Sequence, residues 1–275
     1  MKYKTLLIDG PYLSHRSYSA PYKLTTSTNL DSTLIHGFLK TLLSLKKQFN
    51  PAQTIIAWES YGTPSWRRTQ QPLYKPSRPK EQSFIDQQND LRDILTYLGY
   101  KQYLSPRNEA DDVIAKLISE TKPTIIFTSD KDIMQLVDQD CQIYNGRTIF
   151  DETEVKKKFL VPPKYIADLL AIMGDTSDNI QGVKNYGPKK SANAIKEFGL
   201  VEKIPHKHPL DKYKQKILNN KRLTQLNKNC ELKECIPNKN TTLHSILNKY
   251  ELKKIGDKIN KYKETKQIGT IDKWI

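Results

Sequence analysis

Three cysteines in 275 residues are too few, and odd in number, for a disulfide framework. Cys141, Cys230 and Cys235 also lack C-x-x-C spacing, which excludes a zinc ribbon or finger. Histidine is nearly as scarce. Of the five, only His206 and His208 are close, on either side of a lysine in a proline-bounded loop where solvent exposure is the expected state. Chemistry through His or Cys has little to work with, which leaves the carboxylates. Long apolar runs are missing too, and none approaches the ~18 residues of a membrane span. Hydrophobic residues make up 37%, enough for a buried core. The segment from Met1 to Gly10 is too short an apolar stretch for a signal peptide. The expectation is a soluble, cytoplasmic, monomeric protein with no membrane partner.

What is present is basic charge, unevenly spread. Residues 1–150 carry 19 Lys and Arg against 15 Asp and Glu, and residues 151–275 carry 26 against 15, so the net charges are +4 and +11. A total of +15 implies a polyanionic partner whose binding is driven by counterion release. A lysine-rich composition also gives a merely solvated surface. Charge by itself suggests nucleic acid without establishing it.

The first half alternates as an α/β domain does. Thr5-Leu6-Leu7-Ile8 reads as a short buried strand ending in an Asp9-Gly10 turn, and Thr54-Ile55-Ile56-Ala57-Trp58 as a second strand closed by Glu59. Between them, Leu34, Ile35, Phe38, Leu42 and Leu45 keep a helical period over residues 32–48. A polar stretch with four prolines runs from Ser60 to Glu81, longer than most connections and so a functional candidate. A helix is predicted over 84–98, and another that Asn108 caps and that begins at Glu109. Thr124 to Thr128 is the clearest buried strand. The second half reads as helices, one from Pro163 through Met173 and one from Pro188 through Phe198, with no strand beyond residue 200. The fold class expected is α/β: a mainly parallel central sheet flanked by helices, with ligands at the carboxyl ends of its strands.

The acids fall where that sheet would gather them. Asp9, Glu59, Asp130 and Asp132 lie at or just past strand ends. Glu109 and Asp112 sit three apart in the first turn of a helix, beside Asp111, while Asp175 and Asp178 occupy a loop after a helix end. Singly, each has an ordinary explanation in helix dipoles, caps and turns. Gathered on one edge, they repel one another at a cost that divalent cations relieve. Oxygen-only ligands select Mg²⁺ or Mn²⁺, and two such ions suit phosphodiester hydrolysis.

The motifs resemble those of the 5′ nucleases, the family of bacteriophage flap endonucleases and the 5′-nuclease domain of bacterial DNA polymerase I. They stand in family order: Ile8-Asp9-Gly10 with Arg16; Tyr74-Lys75-Pro76-Ser77-Arg78; Glu109-Ala110-Asp111-Asp112; Thr128-Ser129-Asp130-Lys131-Asp132; and the run from Met173-Gly174-Asp175 through Lys190. The resemblance covers about residues 4–200. It implies a PIN-like nuclease core at 1–160 with a helical arch at about 60–85. It also implies a helical DNA-binding part at 161–275, containing a helix–three-turn–helix at about 163–199. It puts Asp9, Glu109, Asp111 and Asp112 around a first metal and Asp130, Asp132, Asp175 and Asp178 around a second, with Asp111 between them. Glu59 stands where the family has Asp, and Gln181 where it has proline. Lys75 is similar to the arch lysine that approaches the scissile phosphate, and Arg78, Arg67 and Arg16 would clamp phosphates. Gly182, Lys184, Gly187, Lys189 and Lys190 would hold the duplex backbone, with a K⁺ ion at that turn. The function implied is two-metal cleavage of flap, nicked or gapped DNA, with RNA primers as further substrates, leaving a 5′-phosphate and a 3′-hydroxyl.

Three other readings compete. A non-catalytic DNA-binding relative would lack acids of the second metal group, all of which are present. A PIN-type ribonuclease would be shorter and without the Gly174 to Lys190 element. A small-molecule phosphatase would want a second acid two residues after Asp9, where Pro11 stands.

Overall fold

The computed structural model describes residues 3–60, 62–75, 81–238 and 240–252. Arg78 and the Gln267 to Trp274 segment, which faintly resembles a clamp-binding peptide but has the wrong spacing, lie outside them.

Strand β1 (Thr5–Asp9) is buried along its whole length. Asp9 does not end it in a turn, as the sequence suggests. It caps helix α1 (Gly10–Tyr18), which has Pro11 in its first turn. Gly10 is there for space, since a Cβ would come within 2.5 Å of the Trp58 ring. Helix α2 (Thr33–Phe49) and strand β2 (Gln53–Ala57) follow. The arch segment contains a short helix α3 (Trp66–Gln70) and leads into α4 (Gln82–Tyr97). Next come β3 (Lys101–Leu104), α5 (Ala110–Thr121), β4 (Thr124–Phe127) and a 3-10 turn at Asp132–Leu136. Glu109, not Asn108, caps α5, through a capping box with Asp112. Two strands, β5 (Cys141–Tyr144) and β6 (Ile149–Phe150), and helix α6 (Glu152–Phe159) complete the first half.

The seven-stranded sheet has the order β6-β5-β4-β1-β2-β3-β9, where β9 is Lys233–Glu234, with β5, β4, β1, β2 and β3 parallel. The chain lays down β1, β2 and β3 in one direction, then crosses back to place β4 on the other side of β1. That reversal is the switch point where such sheets open a crevice at their carboxyl ends. Asp9 ends β1 and Asp130 follows β4, so the two acids flank it. Alternation along the strands feeds two cores. Leu6, Ile8, Ile56, Trp58, Ile125 and Phe127 face α2, α4 and a late helix α10 (Leu243–Lys249); Leu7, Ile55, Ile126 and Ile143 face α5 and the second-half helices. A parallel sheet covered on both faces follows from strands this apolar.

The second half begins with α7 (Ile166–Met173), preceded by a 3-10 turn at Pro163–Tyr165 rather than by an α-helix from Pro163. A two-residue hairpin, β7 (Gly174–Asp175) and β8 (Ile180–Gln181), separates it from α8 (Pro188–Phe198). Gly174 has φ +80°, and a Cβ on Gly182 would lie 2.1 Å from the Met173 carbonyl oxygen, so the crossing requires glycine. Helix α9 (Lys214–Thr224) packs on α7, and Asn220 ties the hairpin down by donating to the Ala171 and Gln181 carbonyls. The tail then departs from the helical expectation: β9 (Lys233–Glu234) pairs antiparallel with β3, and α10 (Leu243–Lys249) packs on α4. Among the described residues no helix is long and apolar enough to cross a membrane.

Candidate metal centre

Asp132, Asp175 and Asp178 each offer a carboxylate oxygen within 4.8 Å of the others, and all three are buried. Three elements deliver them: the 3-10 turn after β4, the β7 strand, and the tight hairpin held by Gly174 and Gly182. Asp132 Oδ1 is buried with no hydrogen-bond donor. An orphaned carboxylate oxygen on a residue grouped with two other acids is what a hard divalent cation satisfies. Asp175 is otherwise arranged: its Oδ1 accepts from the Ser177 amide and hydroxyl and lies 2.7 Å from Lys131 Nζ. Although burial acts to raise it, those partners hold the Asp175 carboxyl below the usual range. Burial raises Asp132 well above that range, with Asp130, Asp178 and Asp175 adding to it.

A second group lies across Asp130. Asp9 is buried and accepts from the Tyr12 amide at 3.0 Å and the Thr128 hydroxyl at 2.7 Å. Burial still pushes its carboxyl up to about 6, with the Asp130 and Glu59 charges contributing. Asp111 is raised well above the carboxylate range, first by burial and then by Asp130, Asp9 and Glu109. Asp130 thus acts on Asp9, Asp111 and Asp132 together. Glu59, just past β2, is half-buried and close enough to act on Asp9.

Glu109 joins the groups through the arch. Tyr74, 2% exposed, donates from its hydroxyl to Asp178 Oδ2 at 3.0 Å and to Glu109 Oε2 at 3.4 Å. Lys75 Nζ lies 3.0 Å from Glu109 Oε2, and its amide donates to the Asp178 carbonyl. Burial opposes the Lys75 charge, but Glu109 and Asp111 outweigh it and raise the ammonium well above its ordinary value. Lys75 is therefore a fixed positive charge at the rim of the cluster.

Two expectations are corrected. Arg67 is not a surface phosphate clamp, and Asp112 is not free to hold a metal, because each is the other's partner. Arg67 is 2% exposed and Asp112 fully buried. Arg67 Nη1 and Nη2 donate to Asp112 Oδ2 and Oδ1 at 2.7 and 2.8 Å. The Asn227 and Glu109 amides and the Trp66 indole take the remaining lone pairs of Asp112. Arg16 is exposed as expected, held by the Tyr12 hydroxyl and the Asn145 carbonyl over the Phe127 ring.

The hairpin-to-α8 turn carries the other basic residues. Lys184, Gly187, Lys189 and Lys190 are exposed, and the Lys190 ammonium sits over the Tyr186 ring at 4.4 Å. Gly187 caps α8, and nothing lies within 4 Å of where its Cβ would be. Gly182 offers its carbonyl to Lys216 Nζ at 2.9 Å. Sequence reasoning did not single out Tyr74, Thr128, Lys131 or Lys216. The first three stand inside quoted motifs, so their position was visible and their partners were not. Lys216 lies in the undiagnostic tail.

A family model described as 5′-3′ exonuclease, N-terminal resolvase-like domain, matches residues 4–160; one described as 5′-3′ exonuclease, C-terminal SAM fold, matches residues 161–239. A 5′-3′ exonuclease of Mycoplasmopsis pulmonis is 35% identical over 208 residues, 73% of this chain and 69% of the relative. A 5′-3′ exonuclease of Aquifex aeolicus is 34% identical over 209 residues, 73% and 72% of the two chains. Among solved structures, the T5 D15 protein co-crystallized with metal ions superposes with a TM-score of 0.68 at 22% identity, covering 81% of this chain and 89% of that one. The catalytic core of Rad2 in complex with DNA substrate gives 0.55 at 16% identity, covering 90% and 87%. At those identities the structural likeness shows a shared fold.

Proposed function

The chain belongs to the 5′-3′ exonuclease family, and from that premise we propose a structure-specific nuclease that cuts DNA at 5′ flaps, nicks and gaps. The observation that carries this reading is the Asp132–Asp175–Asp178 triad with its orphaned Asp132 oxygen. Those three residues would hold one Mg²⁺ or Mn²⁺, and Asp9, Glu59, Glu109, Asp111 and Asp130 a second. When bound, the two ions supply a nucleophile from water at neutral pH and neutralise charge growing on the scissile phosphate.

The chain's own residues do the rest. Tyr74 fixes Glu109 and Asp178 relative to each other, so the two groups keep their spacing. Lys75 carries its charge on the arch, from which it can pass from Glu109 to the phosphate as that oxygen becomes more negative. Arg78 belongs to the same motif and would add a second charge to the arch. Arg16, anchored through Asn145, offers a positioned guanidinium at the sheet edge. At the turn before α8, exposed Lys184, Lys189 and Lys190 and the bare Gly187 cap suit a phosphate backbone read by shape rather than base sequence. A K⁺ ion at that turn is part of the proposal, with Lys216 already supplying one positive charge to the Gly182 carbonyl. The Rad2 neighbour, solved in complex with DNA substrate, supports a DNA partner. RNA primers, a monomeric state and a cytoplasmic location complete the reading.

The test is a set of labelled duplexes carrying a 5′ flap, a 3′ flap or neither, incubated with Mg²⁺. Cleavage within a few nucleotides of the 5′-flap junction, leaving 5′-phosphate ends, is the expected result. Equal cutting of 5′ and 3′ flaps would overturn the structure-specific reading.

A further inference from the structure

Behind the Arg67–Asp112 pair lies a cavity of about 850 Å³ that the chemistry above does not use. Its wall is formed by the start of α7, the end of α9, the segment that follows α9, and α3 from the arch. The lining includes four cations, Lys164, Lys221, Arg222 and Lys228, against one acid, Asp168. Lys221 is committed: it pairs with Asp168 at 2.8 Å and with Glu202 at 2.9 Å. Among the described residues, no acid is paired with Lys164, Arg222 or Lys228. All three are exposed. Three uncompensated charges around one concavity are held apart from any acid that would make them structural.

The aromatic lining is Trp66. The Arg67 guanidinium covers its ring at 4.4 Å, its indole N–H points to Asp112 Oδ2 at 3.3 Å, and its remaining surface borders the cavity. Gln70, Gln225 and Asn229 add exposed amides. An aromatic ring, amide donors and acceptors, and three cations without an acidic partner, one of them (Lys164) over the Tyr165 ring at 5.0 Å, are the combination that takes single-stranded nucleic acid, with bases against the ring and phosphates on the cations. A duplex does not suit it, because paired and stacked bases cannot present a face to a ring inside a concavity.

We propose that this cavity is a binding site for single-stranded DNA, separate from the metal centre and from the turn before α8. Its polymer is chosen on the nuclease reading. Position gives it a role. Arg67 ties the two sites into one wall, donating to Asp112 on one side and to the Leu223 and Gln225 carbonyls on the other. Helix α3 runs from the cavity towards Tyr74 and Lys75 at the acids. A strand held against Trp66 is therefore held one side chain away from the carboxylate cluster, so occupancy favours strands with an unpaired end.

The full chain would be studied in EDTA, where binding is measured without cleavage, so failure of the nuclease reading leaves this result interpretable. The probe is a single-stranded 12-mer carrying 2-aminopurine, with a blunt duplex of the same sequence as control. Lys164→Ala/Arg222→Ala/Lys228→Ala, checked for an unchanged melting curve, is expected to bind the single strand at least tenfold more weakly. Its log K against log salt slope should be shallower by about 2, since each lost single-strand phosphate contact removes roughly 0.7. Duplex binding should stay within about twofold. Trp66→Leu should abolish the 2-aminopurine quenching that Trp66→Phe retains. Unchanged single-strand affinity and slope in the triple variant, or an equal loss on the duplex, would overturn the proposal.

Discussion

Arg67 and Asp112 meet through two parallel hydrogen bonds of 2.7 and 2.8 Å, next to Glu109, which lies 4.0 Å from Arg67 Nη1. Asp112 also closes the α5 capping box by accepting from the Glu109 amide, so the arginine that steadies it steadies the turn presenting Glu109 and Asp111. Burial by itself would lower the Arg67 charge, and the Asp112 hydrogen bonds and charge overcome it.

Removing one partner leaves a buried charge uncompensated. Arg67→Ala is expected to cost about 3–5 kcal/mol in urea unfolding. Arg67→Met/Asp112→Leu removes the orphaned charge but leaves the Asn227 and Glu109 amides without their acceptor, so it should recover only part of that loss. A cost below about 1 kcal/mol for Arg67→Ala would contradict the burial argument.

Asp132 strains the metal-free fold. It is surrounded by acids and has one unsatisfied oxygen, so Asp132→Asn removes repulsion. Thermal melts in EDTA should show the variant more stable by about 1 kcal/mol, roughly 2–4 °C. The further rise on adding Mg²⁺, large in the parent, should be mostly lost. A less stable variant in EDTA would contradict this account.

The pH dependence follows from Asp9, whose carboxyl is pushed from 3.8 in the unfolded chain to about 6 in the fold. The folded state then binds more protons between those values, so unfolding free energy falls as pH rises through that window. Asp111, Asp132 and Asp178 are raised and act in the same direction, while Asp175 is lowered and opposes them. In EDTA the melting temperature should be higher near pH 5 than near pH 7.5, and Mg²⁺ at pH 7.5 should reverse the order. Melting curves across that range check both signs.

Gly146 sets the position of Arg16. It has φ +95°, and a Cβ would fall 2.5 Å from Arg16 Nη1. Gly146→Ala should displace the guanidinium and weaken flap-DNA binding about as much as Arg16→Ala does. Because both act through one side chain, Arg16→Ala/Gly146→Ala should be little worse than either alone. Additive losses in a filter-binding cycle would separate the two residues.

The sheet was legible because its central strands are continuous apolar runs, and Asp9, Glu59, Asp130 and Asp132 could be placed at strand ends from register alone. β3, β5, β6 and β9 were not: β3 and β5 mix polar with apolar residues over four positions, and β6 and β9 are two residues each, too short for any periodic signal. The Asp9-Gly10 pair was read as a turn because nothing local distinguishes it from a cap; the Trp58 ring above Gly10 comes from 48 residues along the chain. Asp112 shows the limit most clearly. Its place in an acidic helix turn was correct, but helical spacing cannot say that an arginine 45 residues upstream occupies it. Pairwise partners across the fold, such as Lys131 with Asp175 and Tyr74 with Asp178, are set by packing rather than by pattern.

The central claim is that the carboxylates at the strand ends hold the cations on which hydrolysis depends. The most direct measurement is single-turnover cleavage of a 5′-labelled flap duplex by the parent and Asp132→Ala, in Mg²⁺, in Mn²⁺ and in EDTA, with DNA binding followed in parallel. The account predicts cleavage in both metals and none in EDTA, with a loss of at least about 100-fold in Asp132→Ala while its DNA affinity stays within a few-fold. Cleavage that persists in EDTA, or that Asp132→Ala leaves intact, would contradict it.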